Sequence, residues 1–136
     1  VFTAGAKLAR AFRAIGMPGG PDAFVGIFAK NKPEWIITEY ATYYHSNVVV
    51  PLYETLGLQE TLFIINQTEL SLILVDTIRK AQLLTSNKAQ LPTLKHIVVL
   101  EKLNDELRKV GDAVGIKLYT YEEMLDIGNK SPDVPP

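Results

Sequence analysis

The sequence predicts an α/β fold with three layers, a mainly parallel sheet with helices on both faces. Short runs of consecutive apolar residues recur, as at residues 48–50, and an unalternating run is typical of a strand covered on both faces. Segments with a helical repeat separate these runs. In residues 4–15, for example, Leu8, Phe12 and Ile15 share one face. Such alternation, joined by right-handed crossovers, gives a parallel sheet.

Apolar runs and end signals set the expected order of elements. Strands are expected at residues 23–29, 48–50, 70–75, 97–100 and 116–119. Helices are expected at residues 4–15 and 33–45, after Gly57, after Asp76, after Asn104 and after Thr120. The expected caps are Asp76, Asn104 and a capping box from Thr120 to Glu123, and the expected terminators are Gly16, Gly115 and Gly128. The apolar faces expected of the helices after Gly57 and Asn104 contain Leu58, Leu62, Ile65, Leu107, Val110 and Val114.

The three valines at residues 48–50 predict a central strand of the sheet. Pro51 ends it, because proline has no N–H to give to a central ladder. Ligands of open α/β sheets bind outside the carboxyl ends of the strands. The loop at residues 52–57 is therefore the first place to look for function.

Composition excludes several classes of protein. The chain has 136 residues, 47% of them hydrophobic, which is enough for one sizeable core. Its formal charge of −1, with both signs interspersed, leaves no footprint for nucleic acid or an anionic membrane. Cysteine is absent, which excludes disulfides, thiolate zinc sites and a thiol nucleophile. No apolar run approaches the ~20 residues of a membrane-spanning helix, so a soluble piece is expected.

Both ends have the features of a fragment. The chain begins at Val1 inside an expected helix, and residues 131–136 contain three prolines, a composition typical of a linker. We expect one α/β subdomain over residues 1–130 and a Pro-rich linker over residues 131–136.

Few residues suggest catalytic chemistry. No glycine-rich phosphate loop joins a strand to a helix, and His45 and His96 lack partners at ligand spacing, which favours structural roles. Asp76 after a strand fits a phosphoacceptor of the receiver type, but a helix cap is favoured because paired acids after the first strand are missing. Tyrosines at helical spacing, which fit either an apolar ligand channel or core packing, are Tyr40, Tyr43 and Tyr44.

Two adjacent cations follow a strand end. Arg79 and Lys80 begin a helix on the same predicted rim as Tyr53 and Glu54. Adjacent cations can grip a phosphate, but from the residues alone a solvated helix face is the favoured explanation.

Two stretches, residues 31–37 (NKPEWII) and 48–57 (VVVPLYETLG), strongly resemble long-chain fatty acid–CoA ligases, which are AMP-forming adenylating enzymes. The resemblance runs through nearly the whole chain. It implies the N-terminal part of the family's first α/β subdomain, with the family's phosphate loop expected just after the Pro-rich end.

The resemblance implies an activity for the parent protein. Fatty acid and ATP, accompanied by magnesium, first give an acyl-adenylate, and CoA then captures the acyl group as a thioester. The family's phosphate loop, acidic ribose-binding segment and catalytic lysine have no counterpart here. The fragment is therefore expected to be a scaffold without catalytic activity or tight cofactor binding of its own.

The resemblance also implies candidate ligand contacts. In related acyl-CoA synthetases the loop after the matching strand approaches the CoA nucleotide, and an arginine opening a later helix reaches its phosphates. The matching positions are Leu52, Tyr53 and Glu54 for the loop, and Arg79 or Lys80 for the cation. No catalytic residue and no metal ligand is expected within the chain.

Other expectations concern location and a rival function. For a eukaryotic parent, the resemblance implies association with a cytosol-facing membrane, at the endoplasmic reticulum, mitochondrial outer membrane or peroxisome. A bacterial parent would be cytoplasmic. A flavodoxin-like binding module without catalysis is the alternative to the ligase interpretation.

Overall fold

The computed structural model describes residues 2–16, 24–28, 48–52 and 57–130. Expectations for the helix at residues 33–45, for His45 and its neighbouring tyrosines, for Tyr53 and Glu54, and for residues 131–136 lie outside these ranges.

Helices and strands alternate through the described residues. The helices are α1 (Phe2–Ala14), α2 (Leu58–Gln67), α3 (Ile78–Ser86), α4 (Asp105–Val114) and α5 (Tyr121–Lys130). The strands are β1 (Phe24–Phe28), β2 (Val48–Pro51), β3 (Leu72–Val75), β4 (His96–Val99) and β5 (Lys117–Thr120), and a short 3-10 turn covers Lys88–Gln90.

The strands form one parallel sheet in the order β2-β1-β3-β4-β5. Neighbouring strands end level, since Phe28 pairs with Val75 and Val75 with Val99. The predicted α/β fold class with a parallel sheet is confirmed.

Helices cover both faces because the strand residues alternate in direction. Ile73 and Val75 pack into one apolar cluster with residues of α2, α3 and α4. Leu72 and Leu74 pack into a second cluster with residues of α1 and α5. A strand that buries both faces needs apolar residues at every position, which is the pattern LILV of β3.

The expectation of a central strand at residues 48–50 is wrong for the described sheet. β2 pairs only with β1 there and lies at its edge, with Val48 40% exposed. Successive N–H groups of a strand point to opposite sides, and the N–H of Leu52 donates to the Ile27 carbonyl oxygen of β1 at 2.8 Å. The nitrogen of Pro51 therefore points away from β1, towards the unpaired side of β2. Its lack of an N–H thus removes no hydrogen bond between β2 and β1.

Several helix-end predictions are confirmed. The Asn104 side chain accepts a hydrogen bond from the Leu107 N–H at 2.7 Å, and Gly115 ends α4 at φ 86°. Thr120 and Glu123 exchange hydrogen bonds at 2.8 and 3.1 Å, which completes the capping box of α5.

Two expectations about helix ends are wrong. Thr77, not Asp76, caps α3, because its hydroxyl accepts from the Lys80 N–H at 3.3 Å. Gly128 does not close α5 but lies inside it, buried against α1. On the predicted apolar helix faces, the exposed side chains are Leu58, Val110 and Val114.

Candidate functional site

The strand order puts a topological switch point, the usual place of a ligand crevice, between β1 and β3. The next described strand after β1 is β2, which lies on one side of β1, whereas the next strand after β3 is β4, which lies on the other side. The connections that leave the carboxyl ends of β1 and β3 therefore run in opposite directions. In doubly wound sheets, ligands bind where the order reverses in this way. The carboxyl ends of β1 and β3 are therefore the first candidate for a site.

A buried ion pair stands at this crevice. Lys80 Nζ lies 2.7 Å from Asp76 Oδ1, and the two side chains are 12% and 2% exposed. The same ammonium lies 4.9 Å from the centre of the Phe28 ring, at the end of β1. A charge removed from water needs a partner, and the pair with Asp76 supplies one. The crevice thus holds one fixed positive charge and one fixed negative charge side by side.

The first turn of α3 carries a second carboxylate contact. The Ile78 N–H donates to Glu101 Oε1 at 2.7 Å, while Thr77 accepts from the Lys80 N–H. Helix N-termini attract anions because their first N–H groups lack partners within the helix. Glu101 already provides such an anion, so an incoming phosphate would meet a partly neutralised helix end.

Glu101 also lines a cleft at the carboxyl ends of β4 and β5. The cleft has a volume of about 200 Å³ and is lined by Leu100, Glu101, Lys102, Thr120, Tyr121 and Glu122. Sequence reasoning missed this cleft. Its residues lie at the carboxyl ends of two strands, where ligands of open α/β sheets bind. Applying that rule to every predicted strand would have found them.

An ionic network beside this cleft holds α4 and α5 together. Arg108 donates to Glu123 Oε1 at 2.6 Å and to the Leu118 carbonyl oxygen at 3.2 Å. Burial by itself would raise the pKa of Glu123, but hydrogen bonds from Arg108 and Thr120 and the charge of Arg108 hold that pKa below its usual value. Burial, followed by the charge of Glu123, raises the pKa of Tyr119.

The candidate CoA contacts predicted from the resemblance, or the CoA rim, are Leu52, Tyr53, Glu54, Arg79 and Lys80. Those that the structure describes differ in their surroundings. Leu52 is buried within the apolar cluster shared with α2, α3 and α4. Arg79 is exposed in the first turn of α3, and Lys80 is engaged with Asp76 at the crevice. Leu52 follows β2 and Lys80 lies in the helix after β3, so both are at the carboxyl edge of the sheet, on either side of β1. Arg79 precedes Lys80 in the same helix.

The described part of the chain contains no group of three or more histidine, cysteine, aspartate or glutamate residues placed to hold a metal ion. Among its helices, none has both the length and the apolarity required to cross a membrane.

Comparison with known proteins places the chain in a family. A family model described as AMP-binding enzyme matches residues 2–130, and the chain belongs to that family. It is 40% identical over 125 residues to long-chain-fatty-acid–CoA ligase 5 of Mus musculus. It is 42% identical over 126 residues to long-chain-fatty-acid–CoA ligase 1 of Homo sapiens. Each alignment covers 89% of this chain and 18% of the relative, so the chain spans under a fifth of their length.

A solved structure supports the fold independently. The adenylation domain of a carboxylate reductase from Mycobacterium chelonae superposes with a TM-score of 0.80. The match covers 98% of this chain and 22% of that one, at 17% sequence identity. At that identity, the likeness is evidence for the fold alone.

Proposed function

We propose that the protein containing this chain is an AMP-forming long-chain fatty acid–CoA ligase. The observation that supports this best is the 42% identity to the human ligase over 126 residues. The strand order alone would fit a flavodoxin-like module equally well, because fold does not determine function. Sequence identity to the ligases supports the enzyme over the module.

The proposed reaction has two steps. A fatty acid carboxylate and ATP, accompanied by magnesium, form an acyl-adenylate and release pyrophosphate. The CoA thiol then takes the acyl group as a thioester, and AMP leaves. The whole protein would act at a cytosol-facing membrane in a eukaryote and in the cytoplasm in a bacterium.

Within that protein, residues 1–130 would be a scaffold subdomain and residues 131–136 a linker towards the phosphate loop. The sheet would fix the positions of its carboxyl-edge loops, and the chemistry would take place on residues elsewhere in the protein. The two apolar clusters, which bury both faces of β3, give the edge the rigidity that such a role requires.

We further propose that the CoA rim includes Leu52, Tyr53, Glu54, Arg79 and Lys80. Leu52 would anchor the start of its loop, since its side chain is buried and its N–H is bonded to β1. The exposed guanidinium of Arg79 suits a phosphate, which accepts two parallel hydrogen bonds from arginine. Lys80 would add a positive charge whose position Asp76 fixes.

The test uses the full-length protein supplied with palmitate, ATP, magnesium and CoA. We expect AMP to form only when palmitate is present. Arg79→Glu should raise the apparent KM for CoA by roughly 10-fold or more, because a charge-assisted hydrogen bond contributes about 1.5–3 kcal/mol. Palmitate-dependent exchange of pyrophosphate into ATP, which reports the first step, should be unchanged.

Two companion variants make the result specific. The double variant Asp76→Asn/Lys80→Met removes the Lys80 charge without leaving a buried carboxylate charge beside it and should also raise the KM for CoA, whereas Lys109→Glu, on the exposed side of α4, should not. Absence of AMP with every fatty acid tested would refute the ligase activity. AMP formation with an unchanged KM for CoA in both rim variants would leave the activity standing and remove Arg79 and Lys80 from the site.

A further inference from the structure

A second cleft opens at the opposite edge of the sheet, at the amino ends of β4 and β5. It has a volume of about 410 Å³ and is lined by Lys88, Lys95, His96, Asp112, Gly115, Ile116 and Lys117. Three lysines face one aspartate, which gives a formal charge of +2 when the histidine is neutral. The cleft is distinct from the candidate CoA rim. Strands of four residues separate the two edges by roughly 13 Å, at ~3.3 Å per residue.

Strand pairing brings the backbones of two of these lysines next to each other. Lys117 is the first residue of β5 and pairs with His96, the first residue of β4. The Lys117 N–H donates to the Lys95 carbonyl oxygen at 2.8 Å. Both lysines are exposed, so their ammonium groups are accessible to a ligand that enters the cleft.

Lys88 borders the cleft from the 3-10 turn before β4. Its Nζ donates to the carbonyl oxygens of Leu91 and Leu94 at 2.9 and 2.7 Å. An ammonium group has three N–H donors, so one remains after these two bonds. Lys88 is thus held in a fixed position with a donor to spare.

The electrostatics show positive charge that the described neighbours leave uncompensated. Burial and then the charges of Lys95 and Lys117 lower the pKa of His96. Burial and then Lys95 lower the pKa of Lys88. In both cases every charge responsible is a cation, so the protonated forms repel one another. A bound anion would remove that repulsion.

His96 adds an unmet hydrogen-bonding group to the wall of the cleft. Its Nδ1 is buried and has no hydrogen-bond partner among the described residues, while its ring lies 6.1 Å from that of Tyr119. A buried polar atom without a partner costs about 1–3 kcal/mol. Lysines scattered on a surface are usually only solvated, but here three of them line one concavity together with His96.

We propose that this cleft binds a phosphate group carrying at least two negative charges, held by Lys88, Lys95 and Lys117. Pyrophosphate and the headgroup of phosphatidate share that chemistry. The lining carries a net charge of +2 with Asp112 included, and Coulomb attraction grows with the product of the two charges, so a dianion is attracted more strongly than a monoanion at the same distance. The site would operate whether or not the protein is a ligase, because none of its residues belongs to the carboxyl edge.

Lysine footprinting of the full-length protein tests the proposal at residue resolution. The protein is acetylated briefly, and labelling rates at individual lysines are read by peptide mass spectrometry. Sodium pyrophosphate is compared with sodium chloride at equal ionic strength. Phosphatidylcholine vesicles with phosphatidate are compared with vesicles without it. We expect one of the two phosphate probes to slow labelling of Lys95 and Lys117 several-fold, and Lys109 to be unaffected.

Variants distinguish binding in the cleft from general screening. Lys117→Glu should abolish the protection of Lys95, and Lys109→Glu should leave it intact. Protection by pyrophosphate supports a soluble ligand, and protection by phosphatidate vesicles alone supports a membrane lipid. Equal labelling rates with both probes and their controls, or full protection of Lys95 in Lys117→Glu, would overturn the proposal.

Discussion

Asp76 and Asp126 occupy the same position in two chemically identical pairs, each with a lysine four residues later. The pair of Asp76 with Lys80 is 2.7 Å long and nearly buried. The pair of Asp126 with Lys130 is 2.9 Å long, and its side chains are 60% and 76% exposed. Sequence spacing cannot distinguish the two, because burial depends on the packing of β1 and β3. Their mutational effects should differ strongly.

Removing the Asp76 charge should open the carboxyl edge. Breaking a fully buried pair costs ~3–5 kcal/mol. Because Lys80 retains 12% exposure, we expect Asp76→Asn to lower the opening free energy of residues 72–86 by about 2–3 kcal/mol. Asp126→Asn should lower that of residues 121–130 by at most ~0.5 kcal/mol. Hydrogen exchange of the full-length protein, read by mass spectrometry on these peptides, measures both.

The double variant identifies the cause of the loss. If an uncompensated ammonium is responsible, Lys80→Met should restore part of the stability lost in Asp76→Asn. An equal loss for Asp76→Asn and Asp126→Asn would show that the buried pair contributes no more than the exposed one.

At the scale of elements, α1 and α5 pack directly against each other on one face of the sheet. A Cβ added to Gly128 would overlap the Lys7 carbonyl oxygen of α1. Arg10 Nε donates to the Gly128 carbonyl oxygen at 3.0 Å. The absence of a side chain at this position therefore sets how closely the two helices approach.

Gly128→Ala should separate the helices. Alanine is favoured over glycine in a helix by about 1 kcal/mol, but overpacking a close contact costs ~1–3 kcal/mol, and this contact is with backbone that cannot turn aside. We expect faster hydrogen exchange across residues 2–14 and 121–130, with Asn129→Ala, on the exposed side of α5, close to the native protein. Slower exchange in Gly128→Ala would mean that helix propensity outweighs the contact.

Local signals were readable in the sequence, and tertiary ones were not. Asn104 and Gly115 act through bonds and dihedral angles within a few residues, so residue type and spacing suffice to predict them. A glycine that ends a helix and a glycine that lets two helices touch have the same local pattern, which is why the role of Gly128 was missed. Likewise, nothing local in β2 reveals its place at the sheet edge.

The candidate site also combines features set by local sequence with features set by tertiary packing. That Lys80 follows a strand end is visible in the sequence. That its ammonium contacts Asp76 and the Phe28 ring depends on the pairing of β1 with β3, between residues far apart in the chain. The CoA rim itself rests on resemblance, and it stays a prediction.

For the whole molecule, the parallel sheet gives its two edges different chemistry. The carboxyl edge combines Asp76, Lys80 and Glu101 in compensated contacts, whereas the amino edge gathers Lys95 and Lys117 around a cleft. All strands run the same way, so each edge collects one kind of strand end. One sheet can therefore hold two sites that do not compete for ligand.

The two faces of the sheet are joined around β5 by one ionic network. Arg108 comes from α4, whose Leu107 packs on one face, and Glu123 from α5, whose Met124 packs on the other. Arg108 also bonds the Leu118 carbonyl oxygen between them. The charge of Glu123 therefore contributes to holding the outermost helices onto the edge strand.

This network should give stability that depends on pH. The pKa of Glu123 is lowered from its ordinary value of 4.5 in the folded protein, so its contribution is present above pH 4.5 and is lost as pH falls through the lowered pKa. Glu123→Gln keeps an oxygen for the Thr120 N–H and removes only the charge. We expect the native protein to protect residues 117–130 better than Glu123→Gln at pH 7, and equally well once Glu123 is protonated. The difference should be modest, because the Glu123 side chain is 45% exposed.

Glu122→Gln, which removes a charge from the same first turn, should show a smaller difference, since helix-dipole effects act on both positions but Arg108 bonds only Glu123. The protection of residues 117–130 is measured for all three proteins by hydrogen exchange, corrected for the intrinsic exchange rate at each pH. If the difference in protection between the native protein and Glu123→Gln grows on acidification, the assigned ion pair is contradicted.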